Sequence, residues 1–351
     1  MTEGGVGTRG GLGRGVRSVA RRELLMVWVA LAGLVLLCAV LEPGTLSSSA
    51  LLSMLPFAAV LAIASVGQCL TVQSGGMDLS APGSIALAAA IVTGHAHGQG
   101  DRLLVSILLA LAAVLVAGLL NGIAITKLRI TPIVATLAVN ALLVGALQSY
   151  SGGVLDEAPS GLSRLAIDRT AGIPNTVLVA ALFVIVIYLV NSRTVWGRRM
   201  IAVGANAAAA RASGLRVSRY VIGTYMAAAL CFGTAGIVLA GYLQTPATSI
   251  GDPYLFATIT AVVIGGTAFG GGRGRIVGTA VGAVFLSQLD AFLSATGAPG
   301  SVTYLVQAAA IAVAAALNSP EAAERVRQLA GRRRSRGRRA RARIGEASQA
   351  A

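Results

Sequence analysis

The chain has 351 residues, of which 55% are hydrophobic and only 12% charged, and its mean hydropathy is +0.77. A soluble domain carries about a quarter charged residues, so this chain has too little charge to wet the outside of a globule. Disorder, a collagen-like repeat and a disulfide scaffold are excluded, which leaves an integral, all-α polytopic membrane protein.

The charge is placed as a membrane protein places it. The net charge is +15, and Lys127 is the only lysine. The arginines sit in tails and short loops between apolar runs, and not on one basic face of the kind that grips nucleic acid. Residues 1–23 form a basic tail. Arg21-Arg22 and the apolar run after them read as a first transmembrane helix, because many further apolar runs follow.

Ten apolar stretches follow, at about 24–41, 50–71, 82–98, 103–125, 132–150, 173–191, 220–243, 254–270, 276–293 and 302–317. Backbone groups in hydrocarbon must bond within their own segment, so these are expected to be helices. The third is short and rich in Gly and Ala, and only a glycine run separates the eighth from the ninth. Nine crossings, with the third or eighth re-entrant, is the competing count. Cys38, Cys69 and Cys231 lie inside apolar stretches without metal or redox spacing and read as small buried hydrophobes.

Orientation follows from the basic residues. With both termini in the cytoplasm, every basic residue except Arg102, Arg164 and Arg169 falls inside, while Glu42, Asp101, Asp156, Glu157, Asp168, Asp252 and Asp290 fall outside. The longest outer loop, 151–172, reads chiefly as a solvated connector, with a surface helix as the alternative. The longest inner loop, 192–219, has six arginines and no acid, and Ala205–Ala212 within it is a helix former. Residues 24–317 form the transmembrane domain. The tail 318–351 is Arg-rich and reads as an anchor on anionic lipid headgroups.

No catalytic constellation is present: no phosphate-binding loop, no nucleophile elbow, no His-Glu-x-x-His. No catalytic residue, cofactor or metal is expected. His95 and His97, the only histidines, read as an outer-end polar cap. No charge lies between Arg129 and Asp156, between Arg219 and Asp252, or between Asp290 and Glu321. Ion-coupled carriers commonly bury titrating groups at mid-membrane, so transport energy is expected to enter through a partner, and a neutral, hydroxyl-rich solute fits best. Neutral polar residues do occur in the apolar stretches. Gln68, Asn121, Asn140, Gln244 and Gln307 are candidates for a translocation path, against the plainer role of bonding helix to helix.

Three stretches together resemble the permease subunit of the ribose/xylose/arabinose type of ATP-binding cassette importers, within the larger group of branched-chain amino acid and sugar permeases. One is Gln73-Ser-Gly75-Gly76-Met-Asp78-Leu-Ser80-Ala-Pro-Gly, similar to the family's Gly-Gly-Ile-Asp-Leu-Ser segment. Another is Gly118-Leu-Leu-Asn121-Gly122 through Lys127-Leu-Arg129-Ile-Thr-Pro132 to Thr136. The third is Val262-Val-Ile-Gly265-Gly266-Thr267-Ala-Phe-Gly-Gly271-Gly272-Arg273-Gly274, then Gly278. A weaker match runs from Gly197-Arg198 to Gly204-Ala-Asn206, then Arg211-Ala-Ser213-Gly214. The likeness covers most of residues 50–317, and the Asp-Leu-Ser segment favours the sugar branch.

The resemblance implies a type II-like importer fold in the bacterial cytoplasmic membrane and three partners. These are a second permease subunit (the same chain or a sister), an ATPase with tandem nucleotide-binding domains that does the hydrolysis, and an external solute-binding protein. It implies that loop 192–219, with Gly197, Arg198, Asn206, Ala209, Arg211, Ser213 and Gly214, docks on the ATPase. Family members often carry Glu where this chain has Ala207 and Ala208, so a carboxylate contact to the ATPase is missing. Asp78 reads first as a cap for the next helix, second as a contact to the ATPase or a gate. An ATP-independent carrier or facilitator, and a scaffold without a polar seam, are the competing functions.

Overall fold

The computed structural model describes residues 27–96, 98–267 and 269–318, with burial given to residue 313. His97, the basic tail 1–23 and the Arg-rich tail beyond 318 lie outside the described residues. Helices occupy each of the ten apolar stretches: α1 Val27–Leu41, α2 Ser48–Gln73, α3 Ala81–Ala96, α4 Leu103–Thr126, α5 Pro132–Ser151, then, after a short α6 Ser160–Ile167, α7 Asn175–Arg193. The segment between α7 and the next long helix folds as α8 Val195–Ala205 and α9 Ala207–Ala212. The chain closes with α10 Val217–Leu243, α11 Tyr254–Ile264, α12 Ile276–Ala295 and α13 Gly300–Asn318.

Six of these, α2, α4, α5, α7, α10 and α12, are long and apolar enough to cross a membrane. α11 is the shortest of the apolar helices. The eighth apolar stretch reads as one span to 270, but Gly265-Gly266 turns the chain at Ile264, with Gly266 at φ +83°. Eleven residues rise about 16 Å, half a bilayer core.

Burial sorts the helices into an inside and an outside. α2 is buried continuously from Ala58 to Gln73, and α10 over most of its length. α3 lies with them at the centre. α4, α5 and α7 are covered on one side only, and present Leu104, Leu108, Leu142, Leu182 and Ile185 outward. Small residues set how closely the central helices approach. A Cβ at Gly118 would lie 2.6 Å from the Tyr225 carbonyl oxygen, and one at Gly122 2.6 Å from Ile222 Cα. The small-residue spacing on α4 therefore works inside this chain, against α10. The three cysteines are free and buried.

Loop 151–172 departs from the reading as a plain connector. Part of it is the short helix α6, whose Leu162 and Ala166 are buried against Gly241 of α10. The mixed Leu/charge pattern that looked like loop is the apolar stripe of a one-sided helix. A two-residue hairpin, β1 Arg169–Thr170 with β2 Ile173–Pro174, then leads into α7. Nearby, His95 Nδ1 lies 3.0 Å from Ser106 Oγ, joining the end of α3 to α4.

Candidate functional site: a glycine junction and an aromatic cavity at opposite ends of α2

α2 ends where three motif segments meet. Its last residue, Gln73, accepts a hydrogen bond at its carbonyl from Gly272 N, 2.8 Å away. A Cβ on Gly271 would lie 2.5 Å from the Gly204 carbonyl oxygen, and one on Gly272 2.5 Å from Ala205 Cβ. A Cβ on Gly204 would run into the Gln73 carbonyl, and one on Gly274 would run into the Gln73 side chain. Gly75, Gly271 and Gly272 also hold φ of +88°, +72° and +71°, conformations that glycine adopts without steric cost. The end of α2, the α11–α12 loop and the end of α8 thus touch largely through backbone, with only the Ala205 methyl and the Gln73 side chain packed among them. Gly265 belongs to the same loop one turn deeper, where a Cβ would lie 2.5 Å from Thr279 N of α12.

The outer face of this junction is basic. Arg198 and Arg211 on α8 and α9, and Arg273 on the loop, are exposed, as are Ala209, Ser213 and Gly214. Asn206 separates the two short helices. Its Oδ1 accepts from Ala208 N and Ala209 N at 3.0 and 2.9 Å, capping α9. Gly197 is buried against the Asn191 backbone, and fixes the corner between α7 and α8. Removing the cap with Asn206→Ala is expected to cost about 1 kcal/mol. Amide exchange over 207–212 should then run about fivefold faster, while Asn206→Ser restores the slow rate. Hydrogen–deuterium exchange reads both.

Beside the junction, Asp78 is buried at 1% exposure, which removes it from direct contact with any docked protein. Its Oδ1 accepts from Ser80 N at 2.9 Å and from Ser80 Oγ at 2.6 Å. Asn121 Nδ2 donates to Ser80 Oγ at 2.8 Å, which ties α4 to the turn before α3. Tyr225 of α10 donates to the Met77 carbonyl at 3.2 Å, over Gly76. Burial pushes the Asp78 carboxyl up to about 6, and the Ser80 hydrogen bonds oppose that rise. Asp78 therefore organises the start of α3, and Asn121 supports it.

At the other end of α2 lies a cavity of about 960 Å³ between α2, α10, α11, α12 and α13. Its walls carry four aromatic rings, Phe57, Tyr242, Tyr254 and Tyr304, and two carboxylates, Glu42 and Asp290. Phe57 and Tyr242 meet edge to face, centroids 5.3 Å apart at 85°. Gln307 also lines it. Of the other path candidates, Gln68 sits on α2 at the angular position of Ala50, Phe57 and Leu61, which face the cavity. It is fully buried and neither its Oε1 nor its Nε2 has a partner. Two candidates lie elsewhere. Asn140 accepts from Gly83 N at 2.9 Å and joins α5 to α3. Gln244 is exposed at the end of α10, its carbonyl accepting from Ala158 N at 2.7 Å.

The sequence reading missed Asp290 as a wall group and the four rings. The sequence places Asp290 among the outer acids, and in the structure it lies toward the far end of α12, half-buried. The available signal was its position seven residues after Ala283, on the helix face that also carries Ser287 and Ser294.

Residues 50–315 match the family described as the branched-chain amino acid transport system / permease component. The ribose import permease protein RbsC of Bacillus subtilis (strain 168) is 31% identical over 293 residues, covering 83% of this chain and 91% of that protein. The autoinducer 2 import system permease protein LsrC of Enterobacter sp. (strain 638) is 32% identical, over 79% of this chain and 81% of its own length. The galactofuranose transporter permease protein YtfT of Escherichia coli (strain K12) is 32% identical, over 78% and 80%. No solved structure matches. With six helices long and apolar enough to cross a membrane and a match across three-quarters of its length, the chain belongs to the branched-chain amino acid transport system / permease component family, as a multi-pass inner-membrane protein.

Proposed function

We propose that the chain is the permease subunit of an ATP-binding cassette importer, and that it passes a sugar or a similar neutral polar solute inward. The observation that carries this reading is the glycine junction. An exposed, basic two-helix segment, α8–α9, abuts the end of a central helix largely with backbone against backbone, and that helix runs on to a cavity. Such a segment is suited to receive movement from a docked ATPase and pass it on with little side chain to absorb it. The region 192–219 is then the coupling segment, with Arg198 and Arg211 facing an acidic surface on the ATPase. The external binding protein delivers solute to the cavity end.

On this reading both termini are cytoplasmic and the chain passes between the two faces ten times. α11 covers half the distance, and the glycine loop after it covers the rest, since Gly271 reaches Gly204. Gln68 and Gln307 line the path, whereas Asn121, Asn140 and Gln244 hold elements together. A second permease subunit completes the transporter, and the relatives' names favour sugars as cargo.

The test is reconstitution. Full chain in proteoliposomes, with its partner ATPase and solute-binding protein added, is expected to accumulate a radiolabelled monosaccharide only when ATP is supplied on the ATPase side. The chain alone should neither hydrolyse ATP nor concentrate solute. Accumulation without any ATPase would sink the proposal.

A further inference from the structure

The cavity wall contains a small polar cluster that the packing of the helices leaves incomplete. Asp290 of α12 and Gln307 of α13 both line the cavity. Asp290 Oδ1 and Gln307 Oε1 are buried and have no hydrogen-bond partner. Gln307 is only 4% exposed. Two acceptors held out of water with nothing to accept from are costly, and the helices around them supply no donor. Ser287 and Thr303 add hydroxyls to the same wall. No Lys, Arg or His lines the cavity among the described residues, and Glu42 at its rim adds a second negative charge. Around the cluster, Tyr254, Tyr304, Phe57 and Tyr242 offer ring faces.

We propose that Asp290, beside Gln307, is the specificity-determining residue of the cavity and accepts a hydrogen bond from a hydroxyl of an uncharged sugar. This rests on the permease reading above and deepens it. A carboxylate accepts on two oxygens, and hydrogen bonds to a charged acceptor are the stronger kind. The rings pack on the C–H face of the sugar. The absence of any cation on the wall turns away phosphorylated and carboxylated sugars, whose charge would meet Asp290 and Glu42 unpaired. The volume, at the upper end of the roughly 300–1,000 Å³ of small-molecule sites, holds a monosaccharide with its water.

The test uses the full chain in lipid nanodiscs, with Ser294→Cys as a reporter on the exposed part of the cavity wall. The native cysteines are buried and stay silent. Alkylation of the reporter by N-methylmaleimide is followed with D-ribose, D-galactose, 2-deoxy-D-ribose or ribose 5-phosphate present. At least one of the two parent sugars should slow labelling, the phosphate should not, and the deoxy sugar should protect less than ribose. Asp290→Asn should weaken protection about tenfold relative to its own labelling rate without sugar, the loss of one charge-assisted hydrogen bond. Gln307→Leu, which keeps the carboxylate but removes the amide beside it, should weaken protection in the same direction and serves where Asp290→Asn does not assemble. Protection by neither parent sugar, or equal protection of wild type and of the assembled variants, overturns the assignment. ATP-driven uptake is measured separately: a chain that imports sugar while its reporter is never protected keeps the permease reading and loses this one.

Discussion

Gly204→Val is expected to abolish ATP-driven sugar uptake, by at least tenfold, in a chain that still reaches the membrane. The neighbour that the new side chain strikes is the Gln73 carbonyl, which is backbone at the end of a buried helix. It has no rotamer to change, so α8 must move off α2. Overpacking of this kind costs about 1–3 kcal/mol, small beside the stability of a ten-helix bundle but enough to detach the short surface helices α8 and α9 from it. The docked ATPase should go on hydrolysing ATP, now without moving solute. Gly204→Ala, with one methyl group, should retain some of the uptake. Paired measurements of ATP hydrolysis and uptake in proteoliposomes decide it. Uptake at the wild-type rate in the valine variant would show that the junction transmits nothing.

Gln68→Leu should raise thermal stability and lower uptake about tenfold. The amide is 0% exposed and both of its polar atoms lack partners. An unsatisfied buried polar group costs about 1–3 kcal/mol, so an apolar side chain of similar size relieves the bundle. A residue whose removal stabilises the fold is not kept for the fold. If Gln68 instead belongs only to helix packing, the melting temperature rises and uptake is unchanged. Thermal unfolding followed by tryptophan fluorescence, together with uptake, separates the two. Opposite signs in stability and transport are the signature expected of a path residue.

The helices were legible because hydropathy reports burial in lipid, and hydropathy is local. So were the glycine motifs, each readable as a turn. Their convergence was not. Gly75, Gly204 and Gly271 are far apart in the chain, and nothing in one segment says that the gap opposite its missing side chain is filled by another. α6 was hidden for a related reason, since eight residues with four apolar ones carry too little pattern to outweigh the turn formers before them. Among the path candidates, composition alone could not tell a wall residue from a strut. Gln307 lines the cavity and Gln68 lies deeper on the α2 face that carries Phe57 and Leu61, whereas Asn140 spends its side-chain carbonyl on Gly83 N and Gln244 lies exposed at the end of α10. The aromatic wall was invisible because four rings from four helices have no common spacing.

From Phe57 to Gln73, α2 is unbroken helix without proline, about 24 Å of rod. A stiff rod held at Gln73 by the glycine junction has no slack to take up. A stroke delivered at that end arrives at the cavity end whole or does not arrive. The ratio of sugar molecules moved to nucleotides spent should therefore hold constant as the sugar becomes scarce, with the pace of cycling alone slowing.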